Sequence, residues 1–161
     1  MKKIIYILLL IIIFPNNSFS AATDSGSSDG TSNYTKAYNL IKQAKKYEKK
    51  GKTEKAQKRY KKAQKLLLKS NKEKPLQADT LNYLGFTTRK LGDYKKGEEF
   101  YLLGLKINPN HKGINEYLGE LYVVTNRINL AKERLEILKD CNCEEYGDLK
   151  EIIEGTKKSK Y

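Results

Sequence analysis

Residues 91–111 read LGDYKKGEEFYLLGLKINPNH, an amphipathic helical pattern stopped by Pro109 that nevertheless keeps Gly97 and Gly104 in its middle. An interior glycine costs a helix about 1 kcal/mol against alanine. Two of them, seven residues apart on one face, are the mark of another backbone packed closely against that face. The stretch therefore asks for a partner helix, and the rest of the chain supplies one.

Gly51, Gly92 and Asn126 are residues suited to a left-handed turn that closes one helix before the next begins. Five residues after them stand Ala56, Gly97 and Ala131; four further on, Tyr60, Tyr101 and Leu135; three more, Ala63, Gly104 and Leu138. Four before the turn are Tyr47, Thr88 and Tyr122, and seven before it Ala44, Gly85 and Gly119. One helix-turn-helix unit is written three times. From Lys36 onward Lys, Glu, Leu, Ala and Tyr dominate without strand-like runs, which predicts an all-α domain.

These residues resemble the tetratricopeptide repeat (TPR) family. The clearest copy, residues 78–111, follows its pattern through Leu81, Leu84, Gly85, Thr88, Gly97, Tyr101, Gly104 and Pro109. Residues 112–145 match through Leu118, Gly119, Tyr122 and Ala131, with Cys143 in place of the closing proline, and residues 37–70 through Tyr47, Ala56, Tyr60 and Ala63. The resemblance implies a right-handed α-solenoid of three repeats within a domain spanning 36–155. Residues 144–155, EEYGDLKEIIEG, set Tyr146, Leu149, Ile152 and Ile153 on one face, as a capping helix would, and 156–161 are read as a tail. Between the first two copies seven residues are inserted around SNKEKPL. They either lengthen the second helix by about two turns or form a loop from which Pro75 opens the next helix.

The N-terminus is read apart from the fold. Lys2 and Lys3, an apolar run from Ile4 to Phe14, Pro15, and small residues at Ser18 and Ser20 make residues 1–20 a secretory signal peptide of bacterial type. The run is shorter than the roughly 20 residues that span a bilayer. Cleavage near Ser20 predicts a periplasmic protein, with secretion or an uncleaved anchor as the other outcomes. Residues 21–35, AATDSGSSDGTSNYT, read as a flexible linker.

Charge is unevenly placed. The chain holds 32 Lys/Arg, only four of them Arg, against 19 Asp/Glu. Residues 36–74 carry 16 Lys/Arg and three Glu, whereas residues 75–161 carry 14 of each sign. The excess is either a solvated surface or a docking face for an anionic lipid, an envelope polymer or an acidic protein. Nucleic acid is not expected: the chain is read as exported, and few arginines are present for bidentate base contacts.

The resemblance also implies a groove lined by the first helix of each repeat and suited to an extended peptide or a partner helix. By register that lining comprises Tyr38, Ile41, Lys42, Lys45 and Lys49, then Asn82, Tyr83, Phe86, Arg89 and Lys90, then Glu116, Tyr117, Glu120 and Val124. The grading from basic to aromatic to acidic fits a peptide anchored by aromatics and oriented by charge. Tyr83, Phe86 and Tyr117 fit equally well as packing between helices. The family's carboxylate clamp is interrupted at Ile41, Tyr83 and Gly113, so that ligand is not expected.

Little in the chain suggests catalysis. His111 is the only histidine, which leaves no triad and makes a cap or a surface role its natural reading. Cys141 and Cys143 form a local disulfide, remain unpaired or intermolecular, or serve as a redox pair. With one His and two Cys, no zinc site is expected. The reading is a non-catalytic protein-interaction scaffold without cofactor or metal. A basic envelope-surface binder acting through residues 36–74 is the second reading and a thiol-disulfide protein the third.

Overall fold

One turn, used three times, organises the chain. Gly51, Gly92 and Asn126 have φ of 65°, 98° and 59°. Around each, the amide of the following residue reaches back five positions: Lys52 to the Tyr47 carbonyl, Asp93 to Thr88, Arg127 to Tyr122. That 6→1 bond satisfies a carbonyl the ending helix leaves open and sends the chain back antiparallel.

The computed structural model describes residues 32–159. Residues 1–20, read as a signal peptide, and most of the segment read as a linker lie outside the described residues. Seven helices follow: α1 (Asn33–Lys49), α2 (Thr53–Glu73), α3 (Ala78–Lys90), α4 (Tyr94–Ile107), α5 (Lys112–Val124), α6 (Ile128–Leu138) and α7 (Glu144–Ile153). Among the described residues there is no strand. Helices pair as α1 with α2, α3 with α4 and α5 with α6; α2 meets α3, α4 meets α5, and α7 rests on α5 and α6. This is a TPR-type helical solenoid.

Two boundaries differ from the sequence reading. The linker ends earlier than residue 35, because Ser32 caps α1 by accepting the Thr35 amide at 3.1 Å, and Asn33, Tyr34 and Thr35 are already helical. A serine in a Ser/Thr-rich run is as good a cap as it is a linker residue. In the inserted segment the helical alternative prevails: α2 runs on to Glu73, Pro75 falls in the connection, and α3 opens only at Ala78. Leu76, with φ 58°, makes the reversal.

The glycines answer to different neighbours. A Cβ on Gly97 would stand 3.1 Å from the Gly85 carbonyl oxygen and 3.2 Å from Arg89 Cβ, so α4 touches the backbone of α3 there. A Cβ on Gly104 would meet Ile114 Cδ1 at 2.4 Å, across to the next repeat. Gly85 faces the Tyr101 ring, and Gly119 faces Leu149, which brings α7 down over the last repeat. Leu81, Leu84, Phe86, Tyr101, Ile114, Leu118 and Leu121 form the continuous core beneath these contacts.

Gly85→Ala should therefore lower stability by about 1–3 kcal/mol, since its Cβ would lie 2.4 Å from a wholly buried Tyr101 ring. Gly51→Ala meets nothing within 4 Å and should lose only the left-handed penalty, about 1–2 kcal/mol. Gly51→Asn should lose less than Gly51→Ala, because Asn126 already holds the equivalent turn. Urea unfolding midpoints at unchanged slope check all three, and equal losses for Gly51→Ala and Gly51→Asn would refute the conformational account.

Candidate functional site

The first helices of the repeats share one face. Tyr34 and Tyr38 of α1 lie 6.0 and 5.5 Å from Tyr83 of α3, and Phe86 of α3 lies 5.1 Å from Tyr117 of α5. Lys45 closes the set from α1: its Nζ sits 4.6 Å from the Phe86 centroid and 5.4 Å from that of Tyr117, and donates to the Tyr117 hydroxyl at 3.1 Å. A cation held over two rings and bonded to a phenol has its direction set by all three helices.

Beneath this layer runs an ionic seam between the second and third repeats. Arg89 of α3 donates from Nη1 to the Tyr117 carbonyl and from Nη2 to Glu120 Oε2 at 3.2 Å. Both side chains are fully enclosed. Gly97 is what permits this, since α4 lies directly against the Arg89 stem. On the other side Glu48 links the first hairpin to α3: it accepts from the Tyr60 hydroxyl at 2.7 Å and pairs with Lys90 at 2.6 Å.

The residues expected in the groove thus divide by depth. Lys42 and Lys49 are exposed, and Lys45 and Tyr83 are half-buried. Asn82 and Tyr117 are nearly enclosed, Asn82 with its amide against Gly113. Phe86, Arg89 and Glu120 are interior, not free lining: they carry the seam and floor under the groove. The register read them as groove lining; in the fold neighbouring side chains close over them, and only the rim residues stay exposed. Val124 is exposed, whereas Ile41 belongs to the core.

Two open regions flank the aromatic centre. One cavity of about 640 Å³ is bounded by Lys45, Glu48, Lys49, Thr53, Phe86, Lys90 and Ser159. The other, about 800 Å³, includes Asp79, Asn82, His111, Glu116 and Glu145 in its wall. One end is lysine-rich and the other carboxylate-rich. Glu48, Asp79 and Ser159 were not singled out from the sequence. Glu48 had a signal, as a lone acid among lysines; Ser159 had none.

His111 caps α5, with Nδ1 accepting the Ile114 amide at 3.1 Å while Nε2 faces Asp79 at 3.1 Å. The acceptor role of Nδ1 leaves the proton on Nε2, directed at the carboxylate. Cys141 and Cys143 are bonded to each other in the α6–α7 connection, with Cα atoms 5.2 Å apart. Among the described residues no group of three His, Cys, Asp or Glu could hold a metal ion, and no helix is long and apolar enough to cross a membrane.

Burial governs the phenols. Tyr34 is pushed up to about 12, first by burial and then by Asp79 and Tyr38. Burial also raises Tyr101 and Tyr117 well above the ordinary tyrosine range, with Glu116 adding to Tyr117.

The architecture places the chain among TPR-type helical repeat folds. No family model matches it. The first TPR domain of human RPAP3, solved by NMR, superposes with a TM-score of 0.55 at 20% identity, covering 78% of this chain and 94% of that domain. The first TPR of Spaghetti (RPAP3) bound to HSP90 peptide SRMEEVD gives a TM-score of 0.49 at 19% identity, covering 76% and 94%. In sequence, the Sol locus transcriptional repressor of Clostridium acetobutylicum is 38% identical over 73 residues, 43% of this chain. The match spans about a quarter (23%) of that curated relative.

Arg89→Met should destabilise by about 3–5 kcal/mol, because it removes the guanidinium that faces the enclosed Glu120 carboxylate. Adding Glu120→Leu should return most of that loss; a double variant no better than the single one would show that the seam is not coupled. Alkali should act through Tyr101 and Tyr117. The unfolded chain releases these protons near pH 10 while the folded chain keeps them, so the unfolded state binds fewer protons and stability falls as pH rises past that point. Each phenol should cost about 1.4 kcal/mol in total between about pH 9 and about pH 11, with the slope approaching about 1.4 kcal/mol per pH unit only at the upper end, read by urea titrations across that range.

Proposed function

We propose that the protein is a non-catalytic interaction scaffold of the bacterial periplasm that holds an extended peptide or helix of an envelope protein along the face made by α1, α3 and α5. The observation that carries this reading is the lysine-edged cavity around Lys45, Lys49 and Lys90, set on a floor of enclosed Phe86 already ordered by the Arg89–Glu120 seam. A pre-ordered face loses little conformational freedom on binding, which is what a small interaction module needs. Exposed Tyr38, Lys42 and Lys49 supply contact and orientation at the rim.

A second reading has its own support. On α2 the side chains of Lys55, Lys58, Arg59, Lys61, Lys62 and Lys65 surround a shallow cavity of about 600 Å³, and none of them takes part in an ion pair among the described residues. Such a face suits an anionic lipid surface or envelope polymer. Salt separates the two, since exposed charges are screened beyond about 8 Å at physiological ionic strength.

Capture of envelope proteins on the immobilised mature chain is the test, with two parallel baits. One carries Tyr38→Ala and Lys49→Glu, both on the exposed rim; the other carries Lys58→Gln, Lys61→Gln and Lys65→Gln. A protein retained at high salt and lost only with the rim bait supports groove recognition. Capture abolished by salt and by the α2 bait transfers the function to the basic face. Phe86→Ala is a poor probe, because emptying a fully buried aromatic site removes about 3–5 kcal/mol of stability. Location is checked by mass: the periplasmic fraction should hold a chain beginning near Ala21, and an uncut chain in the membrane fraction would replace that reading with an anchored one.

A further inference from the structure

After α7 the closing turn appears a fourth time. Gly155 has φ 76°, its amide bonds to the Ile152 carbonyl, and the Thr156 amide reaches back five positions to Glu151. At the three earlier turns a helix follows, because Ala56, Gly97 or Ala131 comes five residues later to pack against its partner. Here the next residues are Thr156, Lys157, Lys158 and Ser159, which offer no apolar side chain to bury. The segment takes another course.

It doubles back over the inner face. Lys157 pairs with Asp148 and, at 3.4 Å, with Glu151, both on α7. Ser159 then donates from Oγ to Glu120 Oε2 at 3.3 Å on α5 and borders the cavity formed by Lys45, Lys49, Phe86 and Lys90. Two positions on a four-residue segment are thus held by carboxylates, and the second reaches the middle of the face assigned above to a partner. The chemistry at each point is matched. Asp148 and Glu151 are two acids taking a full cation, whereas Glu120 already faces the Arg89 guanidinium and takes a neutral hydroxyl.

We propose that residues 156–159 are a tethered ligand of the inner face, and that the face accepts an extended peptide bearing an ammonium donor for Asp148 and Glu151 and, two residues later, a hydroxyl donor for Glu120. This rests on the groove reading of the function. An incoming peptide has to displace the segment, which the short link through Gly155 holds at a local concentration in the millimolar range. The face is therefore closed to weak ligands of this class and opens to those that carry further contacts at the Tyr38 and Lys49 rim.

The test uses the full mature chain and a variant in which Thr156, Lys157, Lys158 and Ser159 are all glycine, with Ser159→Ala as a milder second variant. Docking is read by NMR from the amide shifts of Lys45, Phe86 and Glu120, which needs no partner and so stands apart from the capture experiment. Gating is read with a fluorescein-labelled peptide EGTKKS, residues 154–159. The expected result is shifts at all three amides, smaller in Ser159→Ala, and peptide binding to the glycine variant about tenfold or more tighter than to the unaltered chain. Identical groove spectra, equal peptide affinity for both chains, or no peptide binding to either would overturn the proposal. Shifts that depend on protein concentration would also overturn it, since they would place a second copy's segment on the face.

Discussion

The distance between α3 and α4 is the constraint on which everything else in this molecule rests. A carbonyl oxygen of one helix lies 3.1 Å from where a Cβ of the other would be, and that closeness exists because Gly97 has none. The same two helices meet again where the Tyr101 ring fills the space left at Gly85. Backbones this close leave no freedom to slide or rotate, so the position of α3 is set by α4, and the direction of Phe86 and Arg89 with it. The helix loses a little intrinsic stability at each glycine and regains it in packing.

From that fixed helix the inner face is built outward in both directions. Arg89 reaches to α5 and meets Glu120 and the Tyr117 carbonyl; Lys90 reaches to α1 and meets Glu48. One buried and one partly open ion pair thus stitch the middle repeat to its neighbours. Buried pairs add little net stability compared with apolar packing, but they punish misregister heavily, because a guanidinium without its carboxylate in a dry site is costly. The seam selects one stacking of the repeats over others of similar apolar content.

Much of this was readable from spacing alone. Gly51, Gly92 and Asn126 announce the turns, and all three have positive φ. The small residues seven before and five after each turn announce the helix contacts, and the inner-face register followed from them. What spacing does not carry is depth. Phe86, Arg89 and Glu120, read by register as groove lining, are interior because neighbouring side chains converge there and close over them, a result of tertiary crowding that a single helix period does not express. Ser32 as a cap was hidden in a run of polar residues with the same composition as a linker. The course of residues 156–159 depends on Asp148, Glu151 and Glu120, acids that only the fold brings to one side.

The uneven charge gains a meaning once the helices are in place. The basic excess stands on both helices of the first hairpin, α1 and α2, while the 87 residues from Pro75 onward are balanced in sign. The molecule is therefore a strong electric dipole, and near any negatively charged surface it experiences a torque before it makes contact. That torque turns the first hairpin toward the surface. The solenoid would thus meet such a surface at a preferred angle, with its charged first hairpin leading and its balanced repeats trailing.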